Sequence, residues 1–236
     1  MSRLTAIMPA TEFQRYAIYH VPDGPLGDFG ASWFGWDCVS QQKATPLARQ
    51  DWIANASRYG FHATLKAPFR LYDTCDAAQL PRAVEAFAQK RAAVSLGGLS
   101  LVWLGRFLAL VPATSNDALS DLAAHCVTEL DRFRAPLSVD EREKYARRNL
   151  SETLHQNLLT WGYPFVMDAF RFHMTLTDRV PQAERTTIEE TVRAPLPDVS
   201  GPYLMRHISL MGEDRDGRFH QIARYDLPEP PVGSDK

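Results

Sequence analysis

No stretch of this chain approaches the roughly eighteen consecutive apolar residues that a membrane-spanning helix needs, and the opening MSRLTAIMPATEFQRYAIY has too short an apolar run for a signal peptide. No membrane span is therefore expected. Cysteine is scarce: Cys38, Cys75 and Cys126 are odd in number, far apart and form no CxxC. That excludes a disulfide framework and points to a reducing, cytoplasmic setting. Neither sign of charge prevails, since 26 Lys and Arg stand against 28 Asp and Glu for a net charge of −2. A surface that coats nucleic acid or grips an anionic membrane is not expected on that balance. There is no HExxH and no tight His and carboxylate spacing, so a metal-dependent hydrolase is disfavoured and no metal or cofactor is implied.

What is present reads as a globular chain. Its 236 residues, 45% hydrophobic and 23% charged, suit one large domain or two closely packed lobes. RYAIYHV (15–21) reads as a strand stopped by PDGP. The Gly- and aromatic-rich GDFGASWFGWDCVSQQKATP lacks a clean period and reads as an irregular loop with a helical turn, with Trp33 and Trp36 either stacking on a ligand or plugging an interface. RYGFHATLKAPF alternates as a strand. DAAQLPRAVEAFAQKRAAV has helical spacing, and VSLGGLSLVWLG with RFLALVPA makes two strands around Gly105. SNDALSDLAAHCVTELDRFRA opens with cap chemistry and continues as a helix. SVDEREKYARRNLSETLHQNLLTWG is helical with a break near Asn149. AFRFHMTLTDRV is a strand, QAERTTIEETVRA a helix, and PYLMRHISLMGED with GRFHQIARYDL a hairpin around RDG. The tail from 228 to 236 is expected to be disordered.

The order His-strand, helix, strand, strand therefore occurs twice, the signature of a weak internal duplication. The fold class expected is α+β: two pseudo-symmetric lobes, each an antiparallel sheet with helices on its outer face and a cleft between them, spanning 13–227 as one two-lobed domain. Both His-strands carry Phe-His-x-Thr-Leu, at Phe61–Leu65 and at Phe172–Leu176. Strand alternation sets His62, Thr64 and Lys66 on one face, with Phe61 and Leu65 behind. It does the same for Arg171, His173 and Thr175, with Phe172 and Leu176 behind. Two imidazoles across a cleft suit phosphodiester cleavage, one removing a proton from the attacking oxygen and the other supplying one to the leaving oxygen. Thr64 and Thr175 would donate to phosphate oxygens, and Lys66 and Arg171 would offset the growing negative charge. Tyr16 and Tyr59 are candidate substrate contacts. Arg147 and Arg148 are candidates for a second phosphate or for a solvated helix face.

FHATLK and FHMTLT resemble the paired His-x-Thr/Ser motifs of the two-histidine phosphoesterase superfamily, which includes RNA 2′,3′-cyclic phosphodiesterases. RYAIYHVP, FGASWFGWD, RYGFHATLKAPFRL and WGYPFVMDAFRFHMTLT are similar to one branch of it, encoded with bacterial phosphonate-degradation operons, over residues 13–227. The resemblance implies a metal-independent cyclic phosphodiesterase that hydrolyses or transesterifies a cyclic phosphodiester on a small ribose-containing metabolite or nucleotide. It implies no cofactor and a small phosphorylated metabolite as partner, and carbon–phosphorus lyase pathways generate a ribosyl cyclic phosphate of that kind. The alternative function is a module of the same fold that holds a nucleotide or RNA end without turnover.

Overall fold

The structure is a computed structural model that describes residues 13–229; the segment before Phe13 and most of the expected tail, residues 230–236, lie outside the described residues. Along the chain run β1 (Arg15–His20), α1 (Gly24–Phe34), β2 (Trp36–Asp37), β3 (Gln42–Lys43), α2 (Gln50–Ile53), β4 (Ala63–Phe69) and α3 (Gln79–Ala88). Then come β5 (Val94–Ser95), β6 (Leu99–Leu104), β7 (Phe107–Pro112), α4 (Asp117–Leu130), α5 (Val139–Ala146) and α6 (Glu152–Trp161). The chain continues with β8 (Met174–Thr175), α7 (Arg185–Arg193), β9 (Leu204–Met205), β10 (His207–Glu213) and β11 (Phe219–Asp226).

The fold class is α+β, and the sheets of the two halves are continuous. Seven antiparallel strands lie in the order β11-β10-β1-β4-β8-β7-β6. The two His-strands, β4 and β8, are neighbours at the seam, with Ala63 paired to Met174. The hairpins are exchanged between halves. The hairpin β6–β7 follows β4 in sequence but pairs with β8, through Ala109 to Thr175 and Leu110 to Met174. The hairpin β10–β11 follows β8 but pairs with β1, which pairs with β4.

One face of the sheet carries the main core. Tyr16, Ile18, Leu65, Leu108, Leu110, Met174, Ile208 and Leu210 from the strands meet buried residues of α1, α3, α4 and α7. The apolar positions of α3 (Leu80, Val84, Phe87) recur at helical spacing, and Asn116 caps α4 by accepting the Leu119 amide at 2.9 Å. The other face of the first half carries a smaller cluster of Ala17, Tyr19, Val21, Trp36, Cys38, Met211 and Phe219. The charged stretch after Ser138 is two helices, α5 and α6, each opened by a serine cap and separated at residues 147–151.

In the segment expected as an irregular loop with a helical turn, the part after Phe34 holds the short strands β2 and β3, and the part up to Phe34 belongs to the three-turn helix α1. Gly24, Pro25, Gly27 and Gly30 lower its helix propensity, yet Leu26, Phe29, Gly30, Trp33 and Phe34 form its buried stripe. The glycines serve close packing: a Cβ on Gly30 would stand 2.2 Å from the Phe61 ring, and one on Gly27 would stand 2.4 Å from the Pro22 carbonyl oxygen. Helix α1 thus seats directly on the Phe that anchors the first His-strand. Neither tryptophan is a free stacking surface. Trp33 is wholly buried and donates to the Leu176 carbonyl at 2.7 Å; Trp36 is buried and donates to the Phe219 carbonyl at 3.1 Å.

Candidate active site

Gly60 precedes the first histidine in a backbone conformation (φ 71°, ψ 176°) that only glycine adopts without strain. Its carbonyl, turned by that conformation, lies 3.0 Å from His62 Nδ1. With the proton on Nδ1, His62 donates to Gly60 and keeps an Nε2 lone pair, which accepts from the Thr64 hydroxyl at 3.2 Å. The second copy repeats the device: His173 Nδ1 donates to the carbonyl of Arg171, also two residues back, at 2.7 Å. Each strand therefore fixes its imidazole by the same bond at Nδ1.

Ala63 and Met174 are cross-strand partners on the core side and are fully buried. One residue on from that pair in either direction, His62 stands across from Thr175, and Thr64 across from His173. The histidines are diagonal neighbours, and such positions lie about 7–8 Å apart. The His62 ring lies stacked on Tyr19, centroid to centroid 3.8 Å, and Tyr59 flanks it at 6.1 Å while stacking on Phe219 at 5.0 Å. Burial pushes the His62 imidazole down to about 4, and the nearby His173 pushes the same way against the Gly60 bond. Phe107 lies 5.6 Å from His173.

Three of the residues expected here go elsewhere. A bulge in β4 sets Thr64 against Tyr19 but Lys66 against Ile18. The extra residue turns Lys66 to the core face, where it is buried and donates to Asp131 at 3.0 Å and to the Val127 carbonyl at 3.1 Å. Burial lowers the Lys66 ammonium and Asp131 raises it again. Burial would raise Asp131, but Arg134 and Lys66 outweigh it and hold the carboxyl low. Arg171 is exposed, and its guanidinium folds back onto the carbonyls of Asp168 and Phe170 at 3.1 and 2.7 Å. Tyr16 belongs to the main core, on the face opposite Tyr19. The second strand ends its alternation at the same point as the first. The amides of Leu176 and Thr177 both reach the Leu108 carbonyl, and Thr177 is buried with its hydroxyl accepting the Leu108 amide at 2.9 Å. On the shared face each strand thus keeps its His and Thr in step, while Lys66 and Thr177 turn to the core.

Sequence reasoning passed over Tyr19, Arg15 and Asp178. Alternation along β1 places Arg15 on the Tyr19 side, bound to Glu213 by a two-pronged ion pair; that bond, against the cost of burial, raises the guanidinium further still. Asp178 follows the second motif and holds the entry to the first. Its carboxylate accepts the amides of Asn55 at 2.7 Å and Ala56 at 3.0 Å, so it fixes the turn that carries Tyr59 and Gly60. Burial raises the phenols of Tyr145 and Tyr163, at and beyond the ends of α5 and α6. Among the described residues no group of three or more His, Cys, Asp or Glu is arranged to hold a metal ion, and no helix is long and apolar enough to cross a membrane.

Gly60→Ala puts these contacts to the test. A Cβ there would fall 2.8 Å from Cys38 Sγ, on a backbone no L-residue favours. The expected cost is about 1–3 kcal/mol of stability, and turnover should fall more than the stability loss explains because the His62 partner shifts. Wild-type kcat in a well-folded variant would show that the Gly60 carbonyl does not position the ring.

Two His-x-Thr strands thus lie side by side in one antiparallel sheet, with their histidines on one face of the pair. The profile of the family described as "Protein of unknown function (DUF1045)" matches residues 64–220, and the chain belongs to that family. Two curated relatives carry the name "Ribose 1,5-bisphosphate phosphokinase PhnN": one from Janthinobacterium sp. (strain Marseille), 39% identical over 184 residues, and one from Laribacter hongkongensis (strain HLHK9), 32% identical over 178. These alignments take in 74% and 72% of this chain but 41% of each relative, so the chain spans less than half the length of the relatives it matches. Among solved structures, E. coli LigT with NADP+ covers 92% of this chain and 99% of its own at 14% identity and a TM-score of 0.45. LigT with 3'-AMP gives 92% and 99% at 16% identity and a TM-score of 0.43.

Proposed function

We propose that this protein opens a cyclic phosphodiester on a small ribose-containing metabolite by paired-histidine acid–base catalysis. The observation that carries the reading is the duplicated Nδ1-to-carbonyl bond, which leaves two Nε2 atoms on one face with a Thr hydroxyl beside each strand position. His62, kept neutral by burial, takes the proton of an attacking water through Nε2. The water oxygen bonds to phosphorus and one ribose–oxygen bond to phosphorus breaks. His173, protonated, gives its proton to that leaving oxygen. The product is a phosphate monoester with a free ribose hydroxyl, and the two rings regain their starting states by exchange with solvent. The Thr64 hydroxyl turns away from His62 Nε2, freeing that lone pair, and with Thr175 donates to the non-bridging oxygens; Tyr59 borders the organic group. Arg171 would reach the phosphate only by leaving its own turn. Every proton transfer is assigned to this chain's side chains, so no step calls for a metal. The name of the curated relatives, kinases of a phosphorylated ribose, supports ribose as the organic group, and it fits a place in phosphonate breakdown.

The test is kcat/KM for ribosyl 1,2-cyclic phosphate and 2′,3′-cyclic nucleotides from pH 3.5 to 9, with EDTA, products assigned by phosphorus NMR. kcat/KM reports the free enzyme, so its acid limb should lie near pH 4, where His62 titrates, below the ordinary histidine value of about 6.5. EDTA should leave the profile unchanged. An EDTA-sensitive rate that climbs steadily with pH would assign the chemistry to a metal-bound hydroxide; ligand binding without turnover would favour the holding module.

A further inference from the structure

A pocket of about 850 Å³ opens between α5, α6 and the segment from Asp131 to Leu137, and neither histidine of the pair lines it. Its charge is one-sided. Arg132, Arg134, Arg142 and Arg148 line it, with His155, against the single carboxylate of Asp131. Asp131 is already shared by Lys66 and Arg134. The nearby glutamates of α5 are engaged too, Glu141 by Arg70 at 3.4 Å and Glu143 by Arg147 at 3.9 Å. Among the described residues no carboxylate stands within ion-pair distance of Arg132, Arg142 or Arg148. Arg132 and Arg148 instead lie over the rings of Phe133 and Tyr145, 5.0 and 5.1 Å from their centroids, which leaves the guanidinium edges open to an acceptor.

Cations gathered without counter-charges repel one another, and the arrangement is stabilised when an anion joins it. Guanidinium groups match phosphate oxygens in geometry as well as charge. Apart from Asn149 the rest of the pocket is mainly apolar and partly uncovered: Tyr72 is 44% exposed and Leu159 62% exposed, and both line it. That suits an anion carried on a ring such as a sugar rather than a bare ion. Tyr145 forms part of the pocket wall.

We propose that this pocket is a second anion site, separate from the histidine pair, which takes the phosphate monoester of a sugar phosphate through Arg142 and Arg148. That phosphate is either a second one on the cleft's own substrate or one on a separate ligand. The choice between these sources rests on the cleft reading above, whereas the existence of the site does not.

Calorimetric titration of the full chain with ribose 5-phosphate at low salt tests the site itself. In Arg142→Ala/Arg148→Ala the dissociation constant should rise about 10- to 100-fold, the usual worth of charge-assisted hydrogen bonds. In Arg142→Lys/Arg148→Lys it should rise less, and in His62→Ala/His173→Ala it should not change. Titration of the wild type without heat, or binding indifferent to the arginines or abolished in the histidine variant, would overturn the proposal. The source is read from KM for two cyclic ribose phosphates, with and without a 5-phosphate. If the arginine variant raises KM only for the phosphorylated one, the site holds the substrate's second phosphate. If it weakens ribose 5-phosphate binding and moves neither KM, the site holds a separate ligand. A chain without turnover would end the cleft reading and leave the titration to decide on the pocket.

Discussion

His62→Ala and His173→Ala should each lower kcat by about 10²- to 10⁴-fold, the usual share of one positioned acid or base. The double variant should be little worse than the poorer single one, because both groups act in the same transition state. The two should differ in stability. His62 is stacked on Tyr19 and bonded to Gly60 and Thr64, and its loss should cost about 1 kcal/mol of ring contact together with those bonds. His173 is bonded only at Nδ1 to Arg171 in its strand register and should cost less. Steady-state rates with a cyclic ribose phosphate, beside urea unfolding of the same variants, check both halves. A single variant that keeps full activity would remove that histidine from the chemistry.

Stability should fall steeply on mild acidification, between about pH 6.5 and 4, where carboxylates have little to say. His20 is wholly buried; its Nδ1 donates to the His207 carbonyl at 2.9 Å and its Nε2 accepts from the Tyr203 hydroxyl at 2.6 Å. Burial pushes it down to about 3, with His207 adding to the effect. Burial also lowers His62, to about 4, and His207. A histidine lowered in the folded state favours folding fully above its unfolded value near 6.5, and that contribution is lost as pH falls through the folded value. At about 1.36 kcal/mol per unit, His20 alone is worth on the order of 4 kcal/mol, a large share of the 5–15 kcal/mol of an ordinary domain. Asp131, Glu141 and Asp214 are held low against the effect of burial, by Arg134, by the Ser138 amide and by His220 respectively. Their contributions begin to go only near and below pH 4.5. Unfolding free energy from urea titrations at pH 7, 5.5 and 4 should therefore drop by several kcal/mol, and His20→Gln should flatten the slope. An unfolding free energy constant from pH 7 to 4 would contradict the buried, neutral state of these rings.

Phe61-His62-x-Thr64-Leu65 and its second copy announced the His and Thr faces because alternation is local and a duplicated pattern is hard to mistake. The same alternation misplaced Lys66, since a bulge depends on the partner strand: nothing in ATLKAPF tells where Tyr19 and Ile18 will pair. Tyr16 was favoured over Tyr19 for a similar reason, as a strand's pattern shows two faces but not which one meets the second histidine. Helix α1 was hidden by glycines whose purpose lies in distant residues, Phe61 and Pro22. The α+β class and the repeated block were legible from period and order. That the halves share one sheet was not, because strand neighbours at a seam are a tertiary choice. Asp178 could have been noticed as the acid that closes the second motif, yet its partners, the amides at 55 and 56, are more than a hundred residues away.

The exchange of hairpins between halves has a bearing on how this chain comes to be folded at all. Strand β1 takes β10 on one side and β4 on the other, so its ladder closes only when residues 207–213 have been made. Pairings of such sequence separation mean a high contact order and slow folding. Until then the growing chain holds Ile18 and Leu65 with an open strand edge, the template on which chains aggregate. Nor can either half be set free as a small catalyst. Cut between β7 and α4, the chain would leave β8 on one fragment and its partner hairpin β6–β7 on the other, and would part β4 from β8 and β1 from β10. The two fragments would regain a sheet only by finding each other, which makes a split protein, reassembled by mixing, the expected behaviour of this topology.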